Sequence, residues 1–340
     1  MEINIETLMS VLSKMSGQNI YHADYQIEQM HGGTVGEVCL ITGIAITSDN
    51  EKLPYKVVLK IQKKWERQGD PNSWRREYDL YNSEFGTLFT ESFRWPNCYH
   101  TVINREETET QIWMEYIDGI SGSDLTVDML EKAAESIGHF HGKLYTLPEI
   151  SKPEILKDID FFSMPKGQTY YYFSCRERVA EYIRSDDCPI PKHLRQLLID
   201  IADDAEKIFI EIEKFPTVLS HRDFWLENIF YIDGTIRLID WDSTGWGYMT
   251  EDITQLIVGD SDTRAEDIEE YYRRLIPAYI KGFSEYVDIT AFSNLYIWEL
   301  MIIKFTGYRL IYKYMLEESE AIKTQQIAVL QKIYEMGFCK

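Results

Sequence analysis

The stretch Leu219-Ser220-His221-Arg222-Asp223-Phe224-Trp225-Leu226-Glu227-Asn228 reads H-R-D-x-x-x-x-N, and Asp240 follows in Leu238-Ile239-Asp240-Trp241-Asp242. Between them, Asn228 to Ile232 and Thr235 to Trp241 are short β-prone runs around Asp233-Gly234, a strong two-residue hairpin signal. A hairpin that short returns Asp240 to the neighbourhood of Asn228. Transfer of a phosphoryl group from a nucleotide needs a carboxylate to orient the attacking hydroxyl and take its proton, which is the role open to Asp223. It also needs hard oxygen ligands for a divalent cation, which Asn228 and Asp240 supply. Taken singly, Asp223 and Asn228 read as turn caps and Asp240 as a strand end; the ordered set carries the chemistry.

Working upstream, Tyr55-Lys56-Val57-Val58-Leu59-Lys60-Ile61 has the composition of a strand. Lys60 on it can pair with the α/β-phosphates, and Glu77, in Trp74-Arg75-Arg76-Glu77-Tyr78, can hold that ammonium from a helix spanning Ser73 to Glu84. Lys56 and Glu84 compete for these roles. His31-Gly32-Gly33-Thr34-Val35-Gly36-Glu37 precedes the strand Glu37 to Ile41, so the backbone at Gly33 and Thr34 can approach phosphate oxygens; a plain hairpin turn fits equally. It is not a Walker A sequence. Thr110 to Tyr116 forms a third strand, and Met114-Glu115-Tyr116-Ile117-Asp118-Gly119 follows its course out of the β-rich region. There the Glu115 carbonyl and the Ile117 N–H can meet a purine edge, with Met114 walling the base.

Beyond Asp118-Gly119 the period changes. Val127, Leu130, Ala133 or Ala134, Ile137, Phe140 and Leu144 recur at helical spacing between Thr126 and Leu147, and Pro148 stops the run. Further helices are expected over 174–184, 191–214, 264–286 and 288–315. This layout gives an α+β chain with a mostly β amino-terminal lobe over 1–116, a hinge over 117–120 and a mostly helical lobe over 121–340. A chain of 340 residues with 44% hydrophobic and 27% charged residues suits two such lobes. The five cysteines form no CxxC pair, and no apolar run spans a bilayer, so the expectation is a cytoplasmic protein with reduced thiols and no membrane partner. A net charge of −21 disfavours nucleic acid and favours a cationic partner, although acidity also simply aids solubility.

These residues, in this order, resemble the aminoglycoside phosphotransferase and choline kinase group of the protein-kinase-like superfamily. The resemblance runs from about Gly32 to Ile253. It implies a protein-kinase-like two-lobed fold, Asp223 as catalytic base, Asn228 and Asp240 as Mg²⁺ ligands, Lys60 with Glu77 at the phosphates, and ATP or GTP as donor. Ile137-Gly138-His139-Phe140-His141-Gly142 resembles the helix signature of the small-molecule branch, and Asp252 the residue that buttresses its catalytic loop. Asp-Trp-Asp in place of Asp-Phe-Gly, and the lack of Ala-Pro-Glu, point away from protein kinases. Arg222 stands where the antibiotic kinases commonly have Gly. The acceptor is expected to be a small amine-bearing molecule of aminoglycoside type; choline, ethanolamine, another amino alcohol or a sugar is the alternative, and a non-catalytic binding or coat protein the rival of another class. For an ammonium, Glu251 in the acidic stretch 251–270 and Glu299 in Leu295-Tyr296-Ile297-Trp298-Glu299-Leu300 are the candidate ligands, with Trp298 and Tyr296 available for cation–π contact.

Overall fold

The computed structural model describes residues 3–30, 36–65, 72–148, 151–158, 176–259, 263–290, 295–315 and 319–338. Asn4 caps the first helix, α1 (Ile5–Ser16), by accepting the Thr7 N–H at 3.0 Å, and Gly17 ends it at φ 69°. Its Leu8, Val11 and Leu12 face a sheet and are buried against Ile41, Val57, Leu59 and Trp113. That sheet holds β1 (Ile20–Ala23) and β2 (Gln26–Gln29), both paired to β3 (Gly36–Thr47), followed by β4 (Lys52–Lys63). The strands expected at 37–41 and 55–61 are the centres of this long antiparallel pair, in which Val38 sits opposite Lys60. Because strand side chains alternate, Leu59 and Ile61 point to α1 while Val58 and Lys60 point the other way.

On the Lys60 side lies α2 (Ser73–Tyr81), and a 3₁₀ turn (Glu84–Leu88) follows it. The chain then makes β5 (Phe93–Arg94), β6 (Cys98–Ile103) and β7 (Glu109–Glu115); β7 pairs with β4. From there it crosses to β8 (Ile120–Ser121), which pairs with a different sheet. The boundary drawn at 116 is therefore not a single cut. Leu80, Phe85, Leu88, Phe93 and Trp95 pack into the larger core of the helical lobe, and β5 pairs in parallel with a strand of that lobe.

The helical lobe is built on α3 (Val127–Thr146), where Thr126 caps the helix by accepting the Met129 N–H. After α4 (Ile155–Asp158) come α5 (Arg176–Arg184), α6 (Lys192–Asp203) and α7 (Ala205–Ile212). The single helix expected over 191–214 thus breaks at Asp204. Next follow β9 (Thr217–Ser220), β10 (Ile229–Ile232), β11 (Thr235–Leu238) and β12 (Gly245–Tyr248). The β10–β11 hairpin closes at Asp233 and Gly234, at φ 45° and 85°, the left-handed pair of a primed turn. The last helices are α8 (Glu251–Val258), α9 (Ile268–Ser284), α10 (Leu295–Met315) and α11 (Glu320–Glu335). α10 is described from Leu295, and residues 288 and 289, where the helix is expected to begin, are not helical. No helix among the described residues is long and apolar enough to cross a membrane.

Candidate functional site

Lys60 is the meeting point of three elements. Its Nζ lies 2.6 Å from Glu77 Oε2 of α2 and 2.7 Å from Asp240 Oδ1, just past β11. Burial works against its charge, but Asp240, Glu77 and Asp242 outweigh it and hold the ammonium well above the usual lysine range. Lys56 and Glu84 take no part in this contact. The helix that carries Glu77 is fastened to the Asp-Trp-Asp segment from both directions. The Arg76 guanidinium donates to the Asp242 carbonyl at 2.6 Å, and the Trp241 N–H reaches Glu77 Oε1 at 3.4 Å.

Trp241 explains why an indole stands between the two aspartates. Its ring is fully buried, edge-on to Phe85 at 5.5 Å and to His221 at 4.7 Å, and its N–H donates to the Leu238 carbonyl. This anchor lets Asp240 adopt φ 65° and turn its carboxylate back to Lys60. Asp242 is buried; Ser243 donates to it at 3.0 Å and Gln62 lies 3.4 Å away.

Asp223 stands in the loop between β9 and β10. Asn228 Nδ2 donates to its Oδ2 at 2.9 Å and to its carbonyl at 2.8 Å, while Trp225 Nε1 donates to Oδ1. Burial, then the charges of Asp240 and Asp242, push the Asp223 carboxyl up to about 7, against the two hydrogen bonds that stabilise its ionised form. The loop itself is threaded onto α8. Asp252 accepts the His221 N–H at 2.9 Å and the Arg222 N–H at 2.8 Å, and Gln255 accepts the Phe224 N–H at 2.9 Å and donates to the Arg222 carbonyl at 3.1 Å. These bonds hold Arg222 at φ 65°. His221 is buried, and burial lowers it to about 3, so it is neutral at pH 7 and its Nδ1 lies 3.3 Å from the Asp223 N–H. His141, from the α3 signature, is likewise buried and lowered to about 3, bonded to the Tyr279 hydroxyl at 2.8 Å and 3.5 Å from Asp252.

The remaining expected residues divide. Met114 is buried with Val58 and Ile112 on the Lys60 face of the sheet. The Glu115 carboxylate is committed to Arg94 at 2.8 Å and to the Asn97 N–H at 2.9 Å, which pins the strand end before the crossing. Ile117 is buried within that crossing. Gly33 and Thr34 lie outside the described residues. Glu251 corrects the sequence reading. It is 4% exposed and accepts the Tyr248 N–H at 3.0 Å, so its carboxylate terminates β12 and is not presented to a ligand. Trp298 is fully buried and edge-on to Tyr279, leaving no face for a cation, whereas Glu299 is half-buried with Tyr272 donating to it at 3.4 Å. Gln255 and Trp225 were missed. The H-x-x-x-x-x-x-N spacing flags the loop, but nothing in the sequence marks which residues of a distant helix hold it.

A two-lobed fold with a lysine–glutamate pair on its sheet and a carboxylate loop facing them defines a kinase-like protein. The model of the phosphotransferase enzyme family matches residues 94–286, more than half of the chain, and the chain belongs to that family. By family and fold it is a small-molecule kinase. Among solved structures it is similar to aminoglycoside 2'-phosphotransferase-IIIa in its GDP complex, with a TM-score of 0.60 at 10% identity over 99% of this chain and 100% of that one. Choline kinase from Cryptosporidium parvum Iowa II gives a TM-score of 0.56 at 15% identity, covering 92% and 90%. An amicoumacin kinase in complex with AMP-PNP, Ca²⁺ and Ami gives 0.51 at 14% identity, covering 98% and 94%. At such identities the likeness speaks to the fold. No curated protein matches the chain.

Proposed function

We propose that this enzyme moves the γ-phosphate of ATP or GTP onto a hydroxyl of a small, amine-bearing molecule. The observation that carries the reading is Lys60, 2.6 Å from Glu77 and 2.7 Å from Asp240, on the sheet facing the Asp223–Asn228 loop. Lys60, kept charged, is the group for the phosphate oxygens. Asp223 accepts the proton of the attacking hydroxyl, and its raised carboxyl is matched to that task near neutral pH. The neighbours' complexes with GDP and AMP-PNP support a nucleotide donor.

Mg²⁺ fits the residues present. Asp240, Glu77 and Asp242 surround one ammonium, and Asp223 feels the charges of Asp240 and Asp242, an excess of negative charge that a divalent cation would offset. Among the described residues no group of three or more His, Cys, Asp or Glu side chains makes a metal cage. One carboxylate from Asp240 and the amide oxygen of Asn228 would suit an ion that keeps its other positions for phosphate and water. Held there by Asp240 and Asn228, such an ion would supply positive charge against the negative charge that develops on the transferred phosphate. Everything else the chain does is positioning and electrostatics in a partly water-excluded site.

The amine is supported by the net charge of −21 and by Glu299, the remaining acidic candidate outside the loop. An amino alcohol such as choline or ethanolamine, or a sugar, presents the same reacting hydroxyl. The test is phosphate transfer from Mg·ATP and Mg·GTP across aminoglycosides, amino alcohols and neutral sugars. Turnover with an amine-bearing acceptor is expected. Turnover confined to neutral sugars removes the amine. A chain that shows neither transfer nor a melting shift with Mg·nucleotide is a non-catalytic binding protein instead.

A further inference from the structure

We infer that Trp225 is a positioning residue for the base: its indole N–H fixes the plane of the Asp223 carboxylate, and Gly259, just past α8, seats the indole ring. The inference rests on the reading of Asp223 given above. Each carboxylate oxygen receives one donor, Trp225 Nε1 on Oδ1 and Asn228 Nδ2 on Oδ2 at 2.9 Å. A carboxylate so held from both sides cannot rotate about its last torsion, and each oxygen keeps a lone pair for an incoming hydroxyl proton. The Trp225 backbone N–H donates to the Asp223 carbonyl at 3.0 Å, so a tight turn brings the ring back to its own base.

The ring's seat is equally specific. A methyl group at Gly259 would lie 2.9 Å from Trp225 Cζ3 and would also meet the Gln255 carbonyl. Asp252, Gln255 and Gly259 recur at helical spacing and so share one face of α8 and its end. Asp252 holds the backbone of residues 221 and 222, Gln255 holds 222 and 224, and Gly259 lies against the side chain of 225. That face therefore sets the base through its backbone first and then through the indole. A ring needed only for packing would require no donor, and phenylalanine would serve.

The experiment is a kinetic cycle on the full chain with the best acceptor of the panel. Trp225→Phe keeps an aromatic ring and loses the donor. The expected result is a fall in kcat of about 10- to 100-fold, the scale of a misplaced reacting group, with nucleotide KM and the Mg·nucleotide melting shift unchanged. Gly259→Ala is expected to lower kcat in the Trp225 enzyme but to add little in the Trp225→Phe enzyme, because the displaced donor is already gone. Wild-type kcat in Trp225→Phe overturns the inference, and so does a loss shared equally between kcat and nucleotide binding. Asp223→Asn, measured beside them, separates the two levels: normal turnover there overturns the base assignment itself.

Discussion

The two sides of the cleft hold their key residues by different physics. On the sheet side, Lys60 is fixed by side-chain charges from separate elements, Glu77 on α2 and Asp240 after β11. On the helical side, Asp223 is fixed through a backbone whose N–H groups are accepted by Asp252 and Gln255 of α8. Charge pairing can yield when phosphates and a cation compete for the same groups. Backbone bonds to a buried helix cannot be exchanged without unfolding the loop. With the roles proposed above, the side assigned to the nucleotide would be adjustable and the side assigned to the acceptor hydroxyl rigid, a division suited to transfer between two bound molecules.

Four perturbations sharpen or break this contrast. Asp240→Ala removes the sole carboxylate proposed for the ion and should abolish the Mg²⁺-dependent part of nucleotide stabilisation, about 2.7 kcal/mol at a ligand concentration 100 times Kd. An undiminished melting shift would move the metal to other ligands, with Asp242 next to be replaced. Lys60→Met should lower kcat/KM by about 10²–10³-fold. Its stability cost stays small, because Glu77, already pushed up by burial, takes up a proton once its ammonium is gone. A large drop in the urea midpoint with little kinetic loss would reverse the assignment of the adjustable side.

Asp252→Ala should show in stability as well as in rate. It leaves two buried backbone N–H groups without acceptors, at about 1–3 kcal/mol each, so the urea midpoint should fall clearly. A variant as stable as the wild type would show that the loop is held by something else. The smallest effect concerns the acceptor. Its kcat/KM should fall a few-fold as salt rises past 0.1 M, where screening acts over about 10 Å, while nucleotide KM changes less. Indifference to salt would remove the cationic acceptor and leave the kinase intact.

Much of this was legible in the sequence because the residues concerned are local. Val57 to Lys60 are one β-prone run closed by a lysine, and Asn228 and Asp240 flank a hairpin whose Asp233-Gly234 turn is encoded in two residues. Helix α3 shows its period and its stop at Pro148. What was not legible depends on partners far away in the chain. The strands β5, β8, β9 and β12 are two to four residues long and exist because a neighbour pairs with them. The acidic start of the stretch 251–270 reads as a solvated face, yet every residue of Glu251–Val258 is buried. Glu251 and Asp252 are there to accept backbone N–H groups, a use that periodicity does not reveal. Glu251 was misread as a ligand for that reason, and Gln255 was not read at all.

The central claim is that Asp223, held by the loop, acts on the acceptor hydroxyl and not on the nucleotide. The most direct test is Asp223→Asn, with transfer to the acceptor and binding of Mg·nucleotide measured on the same preparation. The account predicts a kcat lower by about 10²–10⁴-fold, the usual range for a positioned base, with nucleotide affinity nearly unchanged. Turnover near the wild-type rate in that variant would contradict it.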